Sequence, residues 1–371
     1  MCIAHYFKLC DSKAFHSRAY RRTVPEMQHL VLQNGRCKKE YELIVRTPFS
    51  PNSACLRKDV LSFPFYGIFM EVNKWGMSPE TIRRYNSKTM ELLSLYLNLL
   101  PDMITPDAIE ELARDVDISR EYAYAMMLAS ICGLDIAGRD RAYFEAYFVP
   151  MVREMDPFEF EIDPYYDTIR IPEKKLGKWE LRTMELRPCE AFVRDDFCVY
   201  PDGRMIPQIG FFMRAFRYPA ALEGGREWMT LMPNETVTTL PAVYAAHGRV
   251  LTFGLGLGYF AFRAAEKANV ESVTVVELSK EAAAVFCEHI LPQFPHKEKV
   301  TVVVADAFDF LENRMKDGDF DFAFADIWHD VGDGRELYHR FVEYAKRFPS
   351  TEFTYWLEDT ILCYERPELW G

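Results

Sequence analysis

Four short stretches in the last third of the chain carry residue types suited to holding a nucleotide-like ligand. The first is Leu251-Thr252-Phe253-Gly254-Leu255-Gly256-Leu257-Gly258-Tyr259-Phe260. Three alternating glycines after an apolar run suit a sharp turn with permissive φ, where a ligand touches the backbone. An ordinary Gly-rich turn is the plainer alternative. The run is not Gly-x-Gly-x-x-Gly, because Tyr259 stands at the third glycine's place, and no Gly-Lys-[Ser/Thr] follows as in a P-loop. The second is Val275-Val276-Glu277-Leu278-Ser279, with Glu277 23 positions after Gly254. A carboxylate there can accept hydrogen bonds from both ribose hydroxyls, or cap a helix. The third is Val304-Ala305-Asp306-Ala307-Phe308, whose Asp306 can accept from an adenine amino group or cap the next helix. The fourth is Phe324-Ala325-Asp326-Ile327-Trp328-His329-Asp330. Asp326, with Asp330 second, is the candidate to position or deprotonate a nucleophile.

Other side chains near these carry weaker signals. His329 and His339 with Asp326 and Asp330 could hold a divalent metal, but Asp-x-x-His-Asp lacks an established ligand spacing, so no metal is expected. Trp328 is a candidate to stack on substrate or adenine, with packing between sheet and helix equally open. Glu235 either faces an acceptor pocket or serves a turn or cap.

The elements that must position these residues alternate from Arg249 onward. Strands are expected at Val250–Gly254, Ser272–Leu278, Val300–Ala305 and Phe320–Ile327, with helices at 258–268, Lys280–Leu291, Phe308–Lys316 and Gly334–Arg347. Continuous apolar strands spaced by helices imply an α/β, Rossmann-like fold: a mostly parallel sheet with helices on both faces. Ligands on such sheets sit beyond the carboxyl ends of the strands, where all four stretches fall.

Upstream, residues 156–245 read as antiparallel β-hairpins. Trp179–Leu186 alternates, and turn signals occur at Pro201-Asp202-Gly203, Glu223-Gly224-Gly225 and Pro233-Asn234. Residues 78–155 read as a small helical domain, with starts at Ser78-Pro79-Glu80, Thr105-Pro106-Asp107 and Ser119-Arg120-Glu121 and a further helix over 137–154. Residues 1–77 read as a basic, weakly ordered extension. The first 60 residues hold 11 Lys+Arg against 5 Asp+Glu, leaving a net −18 for the rest of a chain whose total is −12. Translation from Met70 or Met77 would omit most of this segment. The last domain is expected over 246–371.

Composition sets outer limits. With 371 residues, 49% hydrophobic and 27% charged, the chain is neither disordered nor fibrous. A net charge of −12 argues against a general phosphate-backbone binder, so a nucleic-acid partner is not expected. No run approaches the roughly 18 apolar residues of a membrane span. The nine cysteines show no Cys-x-x-Cys and no signal-peptide pattern precedes them, which fits reduced thiols and a cytoplasmic protein. Self-association into a homodimer stays open.

With these motifs in hand, residues 249–330 resemble the class I S-adenosylmethionine-dependent methyltransferases, and within them the spermidine synthase-like branch. The resemblance implies S-adenosylmethionine as cofactor, with its methionine moiety over Gly254, Gly256 and Gly258. It implies the ribose on Glu277 beside Leu278, and the adenine at Asp306 beside Ala307. Upstream, Pro207-Gln208-Ile209, Leu222–Thr230 and Pro233-Asn234-Glu235 resemble the hairpin preceding the nucleotide domain in aminopropyltransferases; Gln208 and Glu235 there, with Trp328 of the fourth stretch, are candidate substrate contacts. Thr252 departs from the pattern, occupying the place where many methyltransferases carry an acid. Asp326-Ile327-Trp328-His329-Asp330 replaces the Asp-Ser-Ser-Asp of aminopropyltransferases, and Val237, Thr238 and Thr239 replace their Tyr-His-Glu. These losses favour methyl transfer to a small-molecule or peptide-like acceptor over aminopropyl transfer. A non-catalytic binding protein that kept the nucleotide fold is the remaining alternative. Only 24 residues follow Arg347, so a shortened sheet or a truncated chain is expected.

Overall fold

The computed structural model describes residues 75–371. The basic extension expected over 1–77 lies outside the described residues as far as position 74, as does Met70. The first described helices begin where their caps stand. In α1 (Pro79–Leu99), α2 (Pro106–Val116) and α3 (Arg120–Ile131), the side chains of Ser78, Thr105 and Ser119 accept from the N–H of Thr81, Ala108 and Tyr122. Each satisfies one of the first-turn donors that a helix leaves orphaned.

The helix expected over 137–154 is shorter and ends as a strand. Helical turns at 141–151 (α4) contain a π-turn at Phe144–Phe148, and Val152–Glu154 then forms β1, parallel to a later strand. Pro150 has no N–H for the carbonyl of Ala146, which accepts instead from Arg204 Nη1 at 2.7 Å. Two short helices follow, α5 (Pro157–Glu161) and α6 (Pro164–Thr168), in a stretch expected to hold hairpins only.

The hairpin region forms two sheets. Strands β2 (Lys174–Leu176), β3 (Trp179–Leu186), β6 (Phe216–Glu223) and β7 (Arg226–Thr230) make an antiparallel sheet in the order β2-β3-β6-β7. The other sheet pairs β4 (Phe192–Val199) antiparallel to β5 (Met205–Phe211), with β1 added in parallel on the far side of β5. Pro233-Asn234 is not a turn: Pro233 opens helix α7 (Pro233–Ala245), a first-turn position where its missing N–H costs nothing.

The last part is a five-stranded parallel sheet. It runs through β8 (Gly248–Phe253), α8 (Tyr259–Ala265), β9 (Val270–Glu277), α9 (Lys280–His289), β10 (Val300–Val304), α10 (Ala307–Asn313), β11 (Phe322–Ala325), α11 (Val331–Ala345), β12 (Glu352–Tyr355) and α12 (Glu358–Tyr364). The spatial order is β10-β9-β8-β11-β12. Leu251 in the central strand faces Thr274 on one side and Ala323 on the other. This is the expected α/β, Rossmann-like fold. The fifth strand fits within the short C-terminal stretch, so the sheet is not cut at four strands. Val250, Leu251, Val273, Val275, Phe322 and Phe324 are buried, as strands covered on both faces require. Among the described residues no helix is long and apolar enough to cross a membrane.

This order brings the carboxyl ends of β8, β9, β10 and β11 to one edge. Chain direction across the sheet reverses beside β8, which makes this edge the crevice where such sheets bind ligands.

Candidate functional site

The glycine turn leaves β8 with all three glycines at positive φ: +93° at Gly254, +54° at Gly256 and +82° at Gly258. Each faces a different environment. A Cβ at Gly254 would lie 1.9 Å from the carbonyl oxygen of Asp326, so the ends of β8 and β11 touch backbone to backbone. Hydrogen bonds from Gly254 N–H to Val276 O and from Asp326 N–H to Phe253 O, both 2.9 Å, tie this turn to its two neighbouring strands. A Cβ at Gly258 would lie 2.3 Å from the ring of Phe286 in α9. At Gly256 nothing lies within 4 Å. Two glycines are there for packing, and the middle one opens onto free space. An apolar recess against Gly256 and Leu257 is walled by Ala282 and Phe286 on one side and Trp179 and Met229 on the other.

Glu277, at the end of β9, closes over this turn. Its Oε2 accepts from Leu255 N–H at 3.2 Å, and its Oε1 from Ser279 N–H at 2.7 Å. Burial pushes its carboxyl above the usual range, while the N–H donors pull it back. Asp306 at the end of β10 is exposed; its Oδ1 caps α10, accepting from Phe308 and Asp309 N–H at 2.9 Å. Beside these acids stand apolar side chains: Leu278 is 71% exposed and Val304 46% exposed, while Ala307 is buried. Glu277 and Val304 are cross-strand partners, so this exposed apolar surface lies directly beside the acid.

The fourth strand end delivers Asp326 next to Glu235 from the first turn of α7. Both residues are half-buried. Burial pushes Asp326 up to about 7, against a small opposing pull from His329. Burial, with the charge of Asp326 added, pushes Glu235 up to about 8. Among the described residues neither carboxyl takes part in a hydrogen bond or ion pair of the kind that engages the other strand-end acids. His329 stands beside them, its ring 4.7 Å from the ring of Trp228 in β7 and its Nδ1 3.0 Å from Asp333.

Three candidates from the sequence face elsewhere. Asp330 is buried as the N-cap of α11, its Oδ1 accepting from Gly332 and Asp333 N–H while Asp333 returns a bond to the Asp330 N–H. Its Oδ1 is spent on backbone N–H groups, so the structure gives the candidate second acid a capping role. Trp328 is buried and donates its indole N–H to Trp356 O at 3.1 Å, so it packs between sheet and helix instead of facing a substrate. Gln208, in the separate sheet β1-β5-β4, has its amide committed to Ile206 O and Arg194. His339 bonds Glu365 at 2.5 Å. Among the described residues no group of three or more His, Cys, Asp or Glu side chains is arranged to hold a metal ion.

Two residues that sequence reasoning missed touch the glycine turn from outside. Tyr165 donates its hydroxyl to Leu257 O at 2.6 Å, and Asp163 accepts from the hydroxyl of Tyr259 at 2.9 Å. The Asp163-Pro164 cap signature marks their helix in the sequence; their targets, 92 and 96 positions further on, do not show there.

No protein-family model and no curated protein matches the chain. Solved structures do. The precorrin 8W decarboxylase from Methanobacterium thermoautotrophicum is 20% identical over 33% of this chain and 62% of that one, with a TM-score of 0.26. Cofactor-bound Rv0187 from MTB is 23% identical over 30% and 48%, at 0.24. The [4+2]-cyclase SpnF is 23% identical over 24% and 32%, at 0.20. The chain thus spans less than two thirds of each of these structures. At such scores the likenesses add nothing to the strand order, which shows the α/β fold by itself.

Proposed function

We propose that the chain is an S-adenosylmethionine-dependent methyltransferase acting on a small-molecule or peptide-like acceptor. The observation that carries this reading is the pairing of an open Gly256 with Glu277. Gly256 presents open backbone, and Leu255 N–H just before it, together with Ser279 N–H, holds the half-buried Glu277 carboxylate at the same turn. That cradle fits an adenosyl ligand: Glu277 can accept from two ribose hydroxyls, and exposed Leu278 and Val304 offer an apolar rest for a base. When bound, S-adenosylmethionine supplies an electrophilic carbon with a neutral thioether as leaving group.

The chain's own residues then align and deprotonate the acceptor. Holding a nucleophile in line is worth about 7–11 kcal/mol in well-oriented systems. Asp326 and Glu235, pushed up to about 7 and about 8, share protons at neutral pH. The ionised member takes the acceptor's N–H or O–H proton as its bond to carbon forms, and the protonated member donates a hydrogen bond.

Calorimetric titration of the full chain with S-adenosylmethionine, its decarboxylated form and S-adenosylhomocysteine tests the reading. Tighter binding of the first than the second is expected. Preference for the decarboxylated form would turn the reading to aminopropyl transfer, and no binding of any would leave a non-catalytic binding protein.

A further inference from the structure

We propose that the segment Asp163–Tyr166, which precedes every strand-end motif, is the positioning clamp of the site: Tyr165 sets the glycine turn, and Tyr166 sets the helix that carries Glu235. The part concerning cofactor affinity rests on the function proposed above.

Asp163 anchors the clamp. Its Oδ1 accepts from Tyr165 N–H at 2.8 Å and starts the short helix α6, while its Oδ2 receives the Tyr259 hydroxyl at 2.9 Å and the guanidinium of Arg263. Arg263 Nη1 also donates to the Tyr259 hydroxyl at 3.1 Å. This explains the tyrosine at the place where a dinucleotide fold would have its third glycine. Asp163 and Arg263 are both largely buried, so their pairing is little weakened by water.

From that anchor two neighbouring tyrosines reach different parts of the site. The Tyr165 ring is fully buried, edge-on to Tyr259 at 5.7 Å and to Phe262 at 5.3 Å. Its hydroxyl donates at 2.6 Å to the carbonyl of Leu257, between the open Gly256 and the packed Gly258. Tyr166 donates to the carbonyl of Leu231, one residue before Met232, the N-cap of α7. Met232 has no side-chain oxygen with which to cap α7, and Glu235 lies in the first turn beyond it. A buried carbonyl deprived of its donor is left unsatisfied, so each hydroxyl holds a specific piece of backbone. A five-residue helix therefore ties the proposed cofactor cradle to the acid pair across it.

Tyr165→Phe and Tyr166→Phe in the full chain each remove one hydroxyl and keep the ring. Amide hydrogen exchange is the readout that loss of stability alone would not split. Tyr165→Phe should speed exchange at Leu255 and Gly258 about tenfold and leave Thr236 N–H, bonded to Met232 O, unchanged. Tyr166→Phe should do the reverse, with amides of α1 steady in both. Equal acceleration at both places, or at neither, overturns the clamp. Calorimetry adds a second readout: Tyr165→Phe should weaken S-adenosylmethionine about tenfold and Tyr166→Phe by less than about twofold. If the unaltered chain binds no S-adenosylmethionine, the cofactor reading falls, and the exchange pattern alone upholds or overturns the clamp.

Discussion

The carboxylates at the site edge divide into two kinds. Glu277, Asp306 and Asp330 spend oxygens on backbone N–H groups of the turns and helices they begin. Asp326 and Glu235 spend none within the described residues, and burial holds both far above the usual carboxylate range. The first kind holds backbone in place; the second is left with proton affinity to use. Residue type does not separate them, since Asp326 and Asp330 are four positions apart. What separates them is whether backbone N–H groups are aimed at the carboxylate, which even a place in the first turn of α7 does not give Glu235. The glycine turn repeats the contrast, with Gly254 and Gly258 spent on packing and Gly256 left open.

The sharpest way to break this division is at the glycines. Gly254→Ala forces a Cβ into the Asp326 carbonyl at a φ of +93°, and the two strand ends must part. Backbone strain and overpacking together should cost about 4 kcal/mol, read in chemical denaturation. Gly256→Ala meets nothing within 4 Å and should cost about 1 kcal/mol for its left-handed backbone, while weakening S-adenosylmethionine more than stability. Equal stability losses in the two variants would show that the turn is uniformly packed.

Asp326→Asn comes next. It should lower turnover about 100-fold, measured as labelled methyl incorporated from S-adenosylmethionine into an acceptor present in cell extract, with cofactor affinity within about twofold. Glu277→Gln should show the opposite split, weakening the cofactor about tenfold. Unchanged turnover in Asp326→Asn would remove it from the proton-accepting role.

The acid pair also makes a stability prediction with a definite sign. Both groups have folded-state values raised above their ordinary ones, from 3.8 to about 7 and from 4.5 to about 8. The folded state therefore holds their protons more tightly, and stability tied to them is complete below pH about 4 and lost as pH climbs through 7 to 8. The double variant Asp326→Asn with Glu235→Gln should escape that loss. Its stability relative to the unaltered chain should rise by several kcal/mol between pH 4 and pH 9, followed by urea unfolding. A flat difference would mean that water reaches both carboxyls freely.

Much of this architecture was legible in advance. The caps at Ser78, Thr105 and Ser119 sit where local hydrogen bonding decides the outcome, and the apolar runs of β8, β9 and β10 are long enough to identify as buried strands. The fifth strand was not. Glu352-Phe353-Thr354-Tyr355 is four residues at a sheet edge, its Glu exposed, too short for a periodic signal. Helix α7 was hidden because Pro233-Asn234 suits a turn as well as a helix start. The glycines, Glu277, Asp306 and Asp326 were legible as strand-end residues. The approach of Glu235 to Asp326 was not, because 91 positions and the packing of α7 against the sheet lie between them. The caps of Asp330 and Trp328's burial likewise depend on where α11 and β12 fall.

The smallest expected effect tests the division where it is narrowest. Asp330 shares a strand end with Asp326 but belongs to the backbone-holding kind, through a reciprocal cap in which Asp330 and Asp333 each accept the other's backbone N–H. Asp330→Ala removes an acceptor for two first-turn N–H groups of α11 and should cost about 1 kcal/mol, lowering the thermal midpoint by a few degrees. Asp330→Asn keeps an oxygen in the same place and should recover most of that loss, since asparagine caps as well as aspartate. Neither variant should alter the proton affinity of Asp326, because the cap oxygen is bound to backbone in both protonation states of the pair. A turnover loss in Asp330→Asn as large as that in Asp326→Asn, with its melting point intact, would place Asp330 among the working acids and erase the boundary between the two kinds.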